Sequence, residues 1–257
     1  MDKSGKKRIL LKIGSNTLTK ETNHISRGKI EDIGMQIAKL QDQYEFVIVT
    51  SGAIAAAKQF VKLESQEASL FVKQALAAIG QPHLMRIYQE NFSDLGLLTS
   101  QCLLSYSDFE KEQSKTNIIN TINVLIKNQY IPIINENDTV ATDEIQFGDN
   151  DKLAALTAVL LQVDLLIIAT NTNGIYTKAS LKNEYPETIG IVNDLELLAQ
   201  EIGDQKSSHG TGGMASKLEA AAIAKQAGIE TWIVNGLTDN FMIKALQNEI
   251  AFTKVQG

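Results

Sequence analysis

The sequence predicts an α/β protein built on a mostly parallel, doubly wound sheet, and three observations carry that prediction. Short β-branched or leucine-rich runs alternate with longer helical patterns along the chain. Several of the runs are apolar throughout rather than alternating, as in strands covered on both faces. The β-then-α rhythm implies right-handed crossovers between parallel neighbours. Strands are expected at Arg8–Ile13, Glu45–Thr50, Gly96–Leu104, Tyr130–Asn135, Val163–Thr170 and Glu230–Asn235. Helices are expected between them at 26–43, 52–62, 66–93, 114–129, 151–162 and 214–228. The helix at 52–62 is rich in alanine after Ser51-Gly52, the one at 151–162 opens on Asp149-Asn150-Asp151, and the one at 214–228 follows a glycine-rich stretch. The three prolines, at 82, 132 and 186, mark no domain hinge, and no repeat or long linker interrupts the pattern.

Composition narrows the function. At 257 residues the chain has room for one large domain or two small ones, and it needs neither disulfide nor metal to hold a core. Its 44% hydrophobic and 21% charged residues are those of an ordinary globular protein. With 30 acidic against 24 basic residues the net charge is −6, which argues against a general nucleic-acid binder. The single cysteine, Cys102, excludes an internal disulfide framework, and His24, His83 and His209 have no metal-ligand spacing. No run approaches the ~18 apolar residues of a spanning helix, and Lys12 cuts Ile9-Leu10-Leu11 too early for a secretory segment. A cytoplasmic protein without membrane or nucleic-acid partners is expected.

In doubly wound sheets, ligands collect beyond the carboxyl ends of the strands. Four strand candidates here run straight into small or polar residues: Gly14-Ser15-Asn16, Ser51-Gly52-Ala53, Asn135-Glu136-Asn137-Asp138 and Asn171-Thr172-Asn173-Gly174. The repetition points to a shared binding crevice. Lys12, inside an otherwise buried strand, is costly unless it meets an anion or snorkels to water from an edge strand. Gly14 and Ser15 allow close backbone approach and hydroxyl donation to a phosphate. Ser51-Gly52 either turns a strand into a helix whose first amides face an anion, or simply caps that helix.

The most unusual stretch is 135–151, where six of seventeen residues are acidic: Glu136, Asp138, Asp143, Glu144, Asp149 and Asp151. A small hairpin over 139–147 is plausible, and the spacing fits no EF-hand loop. Such a cluster could bind a ligand amine, hold Mg²⁺ or orient a lysine; its bland alternative is a solvated acidic loop. Gly210-Thr211-Gly212-Gly213-Met214-Ala215-Ser216-Lys217 formally matches a dinucleotide fingerprint, but no buried strand precedes it, and it fails the Walker pattern. What remains is a glycine-rich loop at a helix start with Lys217 in the first turn, where a cation opposes the helix dipole. A polyphosphate between loop and lysine would account for it. Two lysines, a glycine-rich loop and a carboxylate organiser together suit phosphoryl transfer, which needs mainly positioning and charge compensation.

The motifs Lys12-Ile-Gly-Ser, Thr50-Ser-Gly-Ala-Ile-Ala-Ala, Ala78-Ile-Gly-Gln, Ile133-Ile-Asn-Glu-Asn-Asp-Thr-Val-Ala-Thr, Phe147-Gly-Asp-Asn-Asp-Lys-Leu and Gly210-Thr-Gly-Gly-Met-Ala-Ser-Lys occur in this order over nearly the whole chain. Together they resemble the amino acid kinase family, and within it the members that act on glutamate. The resemblance implies a three-layer αβα sandwich formed by a single domain over 1–257. Its N-terminal part would carry the amino-acid site, and its part from about 165 the nucleotide site. It implies transfer of the ATP γ-phosphoryl group, with Mg²⁺, to the side-chain carboxylate of L-glutamate, the first step of proline biosynthesis. By the same resemblance Lys12 and Lys217 stabilise the transferring group and Asp151 organises them. Ser51, Asp138 and Asn150 would bind glutamate, with Asp138 facing its ammonium. Lys12, Gly14, Ser15, Thr170, Asn171, Thr211, Gly212, Gly213, Met214, Ala215, Ser216 and Lys217 would form the ATP site, and no residue is assigned to a metal. The sequence departs from the family at Asn171, where relatives often carry Asp. It also ends without the C-terminal PUA module of many bacterial relatives, so the kinase domain alone is expected. A homo-oligomer, feedback by proline and passage of the labile product to a glutamyl phosphate reductase are further implications.

Overall fold

The computed structural model describes residues 5–20, 22, 24–61, 69–140, 150–177, 179–180, 183–184, 186–195, 197–198 and 213–257. Among these, eight strands form one sheet in the order β3-β4-β2-β1-β5-β7-β8-β6. The strands are β1 (Lys7–Ile13), β2 (Tyr44–Thr50), β3 (Leu98–Leu104), β4 (Tyr130–Glu136), β5 (Leu165–Thr170), β6 (Ile191–Val192), β7 (Glu230–Asn235) and β8 (Thr253–Val255). The helices are α1 (Ser15–Thr19), α2 (Arg27–Leu40), α3 (Ala53–Lys58), α4 (Leu70–Ser93), α5 (Glu112–Lys127), α6 (Asp151–Leu161), α7 (Met214–Gln226) and α8 (Phe241–Leu246). The six strands expected from the sequence are all present and all parallel to one another. β8 runs antiparallel to β7, and β6 runs parallel to β8, so these two edge strands are reversed relative to the other six. The short α1 and α8, and the two or three residues of β6 and β8, carry too little periodicity to be read in advance.

Alternation along the strands divides the core in two. Ile9, Leu11 and Ile13 of β1 face Ile30, Ile33 and Ile37 of α2, Leu84, Tyr88 and Phe92 of α4 and Phe241 of α8. Leu10 belongs to the opposite core, with Ile118 and Ile122 of α5, Leu153, Ala154 and Ala158 of α6 and Ala220, Ala221 and Ala224 of α7. Both faces of the central strands are therefore covered, which is why β5 is buried at every position and reads as an unbroken apolar run. The result is the three-layer αβα sandwich. Pro132 sits in β4, and the pairing of β4 with β2 starts one residue later, at Ile133, as expected for a residue with no N–H to give to the ladder.

Two local features fix elements that border the site. Gly80 of α4 lies so close to α3 that a Cβ there would come within 1.8 Å of the Ala53 carbonyl oxygen, so this helix pair tolerates only glycine. Lys29 of α2 is wholly buried and fully compensated. Its ammonium reaches Asp32 at 3.0 Å, Asp239 at 3.2 Å and the carbonyls of Leu237 and Thr238 at 3.3 and 3.4 Å. The hydrogen bond from Lys29 holds the Asp239 carboxyl below the ordinary range. A buried cation thus ties the turn after β7 to α2. No helix among the described residues is long and apolar enough to cross a membrane.

Candidate active site

Because β1, β2, β4, β5 and β7 are parallel and in register, their carboxyl ends lie along one edge of the sheet. Ile13 pairs with Thr50 on one side and Ala169 on the other, and Thr170 pairs with Asn235. The polar segments singled out in the sequence are thereby brought together. Gly14 precedes α1 and Ser15 opens it; Ser51 and Gly52 lie between β2 and α3, with Gly52 at φ +102°; Asn137 and Asp138 follow β4. Asn150 precedes α6, Asp151 is its first residue, and Gly213 precedes α7.

Asp151 is the centre of the arrangement. Its side chain is fully buried, and its two oxygens take different lysines: Oδ1 lies 2.5 Å from Lys12 Nζ and Oδ2 lies 3.0 Å from Lys217 Nζ. Lys12 shares a face of β1 with Leu10, so alternation alone turns it toward the layer that contains α6 and α7. This answers the question raised by a lysine in a buried strand: it meets a carboxylate. Asp151 is favoured at the start of α6 by the helix dipole, and it offsets the unfavourable placement of Lys217 in the first turn of α7. Ser216 Oγ lies 3.1 Å from Asp151 Oδ2 and 2.8 Å from the Gly213 carbonyl oxygen, its single proton shared between them, which sets the head of α7 against the same carboxylate. A Cβ on Gly14 would stand 3.5 Å from Lys12 Nζ, so the backbone at 14 passes directly beside that cation.

The neighbouring polar groups are buried too. Asn150 donates to the Thr50 carbonyl at 2.7 Å and to Asn135 Oδ1 at 2.8 Å, while its own Oδ1 is buried and accepts nothing. Ser51 Oγ is likewise buried without a partner. Asp138 is buried, and desolvation pushes its carboxyl up to about 6. Glu136 and Asp138 therefore do not belong to a solvated acidic loop. Thr170 ends β5, its carbonyl accepts from Gly236 N at 2.8 Å, and Asn171 follows it at the same edge. Asn173 Oδ1 and Asn235 Nδ2, 2.9 Å apart, bridge the loops after β5 and β7. Met214 and Ala215 open α7 beside Ser216. Thr211, Gly212, Asp143, Glu144, Asp149 and the hairpin expected over 139–147 fall wholly or mainly outside the described residues. Among the described residues no three His, Cys, Asp or Glu side chains gather as a metal site.

Sequence reasoning placed Asn135 in the polar segment after its strand and carried Thr50 and Gln81 within motifs, but gave none of the three a role of its own and did not find Tyr88. Gln81 donates to Gln101 Oε1 at 3.0 Å and accepts from Asn135 Nδ2 at 2.8 Å. The Tyr88 hydroxyl lies 2.9 Å from Thr50 Oγ1, which itself donates to the Ser51 carbonyl. Burial pushes the Tyr88 phenol well above its ordinary value, so it remains a neutral donor. The available signal was polar residues at positions 81 and 88, two turns apart on one long helix, but that spacing alone does not say what they touch.

Two lysines held by one buried carboxylate at the sheet edge have the charge and placement that phosphoryl transfer requires. A model of the amino acid kinase family matches residues 7–235, and the chain belongs to that family. Its curated relatives include the glutamate 5-kinase of Proteus mirabilis, 37% identical over 256 residues that cover 99% of this chain and 70% of that protein. The glutamate 5-kinase of Caldanaerobacter subterraneus is 41% identical, over 94% of this chain and 66% of that protein. The chain thus spans about two thirds of the length of these relatives. Among solved structures, the carbamate kinase of Giardia lamblia bound to AMP-PNP superposes with a TM-score of 0.69, covering 99% of both chains at 18% identity. The UMP kinase of Ureaplasma parvum superposes at 0.64, also at 18% identity. These two likenesses establish the αβα fold.

Proposed function

We propose that this chain transfers the γ-phosphoryl group of ATP to the side-chain carboxylate of L-glutamate, forming L-glutamyl 5-phosphate, the first step of proline biosynthesis. The observation that carries this reading is the bridge at the sheet edge. One wholly buried carboxylate, Asp151, holds Lys12 of β1 and Lys217 of α7, beside the unpartnered Ser51 Oγ and Asn150 Oδ1. Relatives named glutamate 5-kinase, at 37–41% identity, support the choice of acceptor.

In this reading Lys12 and Lys217 compensate charge on the moving phosphoryl oxygens, and Asp151 keeps the two ammonium groups apart and aimed. Ser51, Asn150 and Asp138 hold glutamate, with Asp138 facing its ammonium. The nucleotide lies against Gly14, Ser15, Thr170, Asn171 and the stretch Thr211–Lys217. The amino-acid site thus belongs to the N-terminal part of one domain and the nucleotide site to the part from about 165. The acceptor carboxylate is already ionised at neutral pH, so the chemistry needs no tuned base. Both Asp151 oxygens are occupied by lysines, which fits Mg²⁺ entering with the nucleotide as substrate. A cytoplasmic homo-oligomer, open to feedback by proline and delivering its labile acyl phosphate to a reductase, completes the proposal.

Hydroxylamine trapping with MgATP tests it. L-glutamate is expected to yield the γ-hydroxamate, with aspartate and acetylglutamate giving little. A dominant product from either control, or from neither acceptor nor glutamate, would remove the assignment.

Asp138 adds a pH dependence. Its raised pKa means that below about pH 6 the carboxylate is progressively neutral, and the ammonium contact is lost in proportion. The glutamate KM is expected to rise about tenfold per unit below pH 6, whereas Asp138→Asn should show a high KM that is flat with pH. Stability moves the other way. The folded chain binds this proton more readily than the unfolded chain, so in the absence of substrate Asp138 contributes stability as pH falls from about 6 toward its ordinary range. Parallel pH profiles for the two proteins would refute the assignment.

A further inference from the structure

The unpartnered oxygen of Asn150 owes its direction to a chain of four side-chain amides. Asparagine and glutamine ends are interchangeable in shape, so their orientation is decided by what faces them. The Thr50 carbonyl can only accept, so the end of Asn150 turned toward it is Nδ2. That same nitrogen donates to Asn135, which must present Oδ1. The other end of Asn135, Nδ2, then donates to Gln81 Oε1, and Gln81 Nε2 donates to Gln101 Oε1. Asn150, Asn135 and Gln81 are all buried. Both N–H groups of Asn150 are spent, and its buried acceptor, Oδ1, is left over. A buried acceptor without a donor costs free energy, which a ligand N–H would recover.

The helix that supplies Gln81 has a regular relation to the site. Gln74, Gln81 and Tyr88 of α4 stand seven residues apart on one face. Gln74 Nε2 reaches the Thr139 carbonyl at 3.5 Å, just past Asp138; Gln81 holds Asn135; and Tyr88 holds Thr50. Each touches the segment after β4, the end of β4 or the end of β2. Gly80, packed onto the Ala53 carbonyl, fixes how closely α4 approaches α3, which follows Ser51 and Gly52.

We propose that Gln81 is a positioning residue for substrate specificity: through Asn135 it locks Asn150 with its carbonyl oxygen free, making that oxygen an acceptor for the α-ammonium of the amino-acid substrate. This rests on the placement of glutamate at Asn150 argued above. Gln81 touches no substrate; by holding Asn135 with Oδ1 toward Asn150, it reinforces the orientation that the Thr50 carbonyl imposes on Asn150. A reversed Asn150 would offer an N–H to an ammonium, a donor against a donor, and would leave the Thr50 carbonyl facing an oxygen.

The test uses the full chain with Gln81→Met, which keeps volume and removes the acceptor facing Asn135, and Gln81→Glu, which keeps that acceptor. Gln81→Met is expected to raise the glutamate KM about tenfold, with kcat and the ATP KM within about twofold of the parent. Gln81→Glu should return the glutamate KM to within about threefold. A purely structural role would instead lower kcat, weaken both substrates and shift the melting temperature, with no recovery in Gln81→Glu; that pattern overturns the proposal. Asn150→Ala separates the two levels of the argument. If it raises the glutamate KM while Gln81→Met does not, the relay is wrong and the substrate site stands. If Asn150→Ala leaves the glutamate KM unchanged, the substrate placement itself is wrong, and the relay with it. Should Gln81→Met fail to fold, Gln81→Glu alone decides, because a tenfold rise in glutamate KM with the acceptor intact contradicts the proposal.

Discussion

Lys217→Ala is expected to lower kcat by about 10²–10³-fold, the scale on which removal of one preorganised charge-stabilising group acts in a buried site. The fold should survive. Asp151 keeps Lys12 at 2.5 Å, so no charge is left buried alone, and Ser216 still ties the start of α7 to Asp151. Lys12→Ala should cost a similar factor in kcat and more in stability, because Lys12 is 3% exposed inside β1 and its removal opens a gap in the strand's packed face. For both variants the glutamate KM should move little, since the lysines act on charge that develops during transfer. Steady-state kinetics with MgATP and glutamate measure this; near-parental kcat in both variants would refute the mechanism.

Asp151→Asn is expected to be the most destabilising conservative change in the site. It keeps the side chain's shape but removes the carboxylate charge that bridges two buried ammonium groups, and breaking a buried ion pair in this way costs about 3–5 kcal/mol. Urea unfolding of the parent and the variant gives the difference directly. A second expectation follows from the same charges: a polyanion between the lysines should replace the lost carboxylate. ATP or inorganic phosphate should therefore stabilise Asp151→Asn more than it stabilises the parent. A loss below about 1 kcal/mol, with no extra response to phosphate, would mean that Lys12 and Lys217 do not depend on Asp151 for their placement.

The parallel sheet and the edge that carries the site were legible because local signals agreed with the tertiary ones. Unbroken apolar runs such as Leu165–Ala169 reflect burial on both faces, while a strand followed at once by Gly14-Ser15 or Ser51-Gly52 admits a ligand but is equally served by a plain helix cap. Lys12 and Lys217 were legible as misfits, one a charge in a buried strand and the other a cation at the wrong end of a helix. Misfits show that a partner exists without saying which. Legible from the chain alone, then, were the fold class, the positions of the six main strands and the charged groups at their ends.

Only the tertiary structure decided how those groups pair. Asp151 takes one lysine on each oxygen because α6 starts between β1 and α7, a relation that spans 139 residues in one direction and 66 in the other and leaves no trace in spacing. Asp138 is buried rather than solvated, which acidic composition around it would not suggest. The relay from Gln101 to Asn150 joins residues from β3, α4, β4 and the start of α6. Nothing in a one-dimensional pattern distinguishes a glutamine that faces water from one that spends both ends of its amide inside the core. Hydrophobic periodicity records which face of an element is buried; the direction of a hydrogen bond depends on which atom of another element lies opposite, and that is settled only when the layers pack.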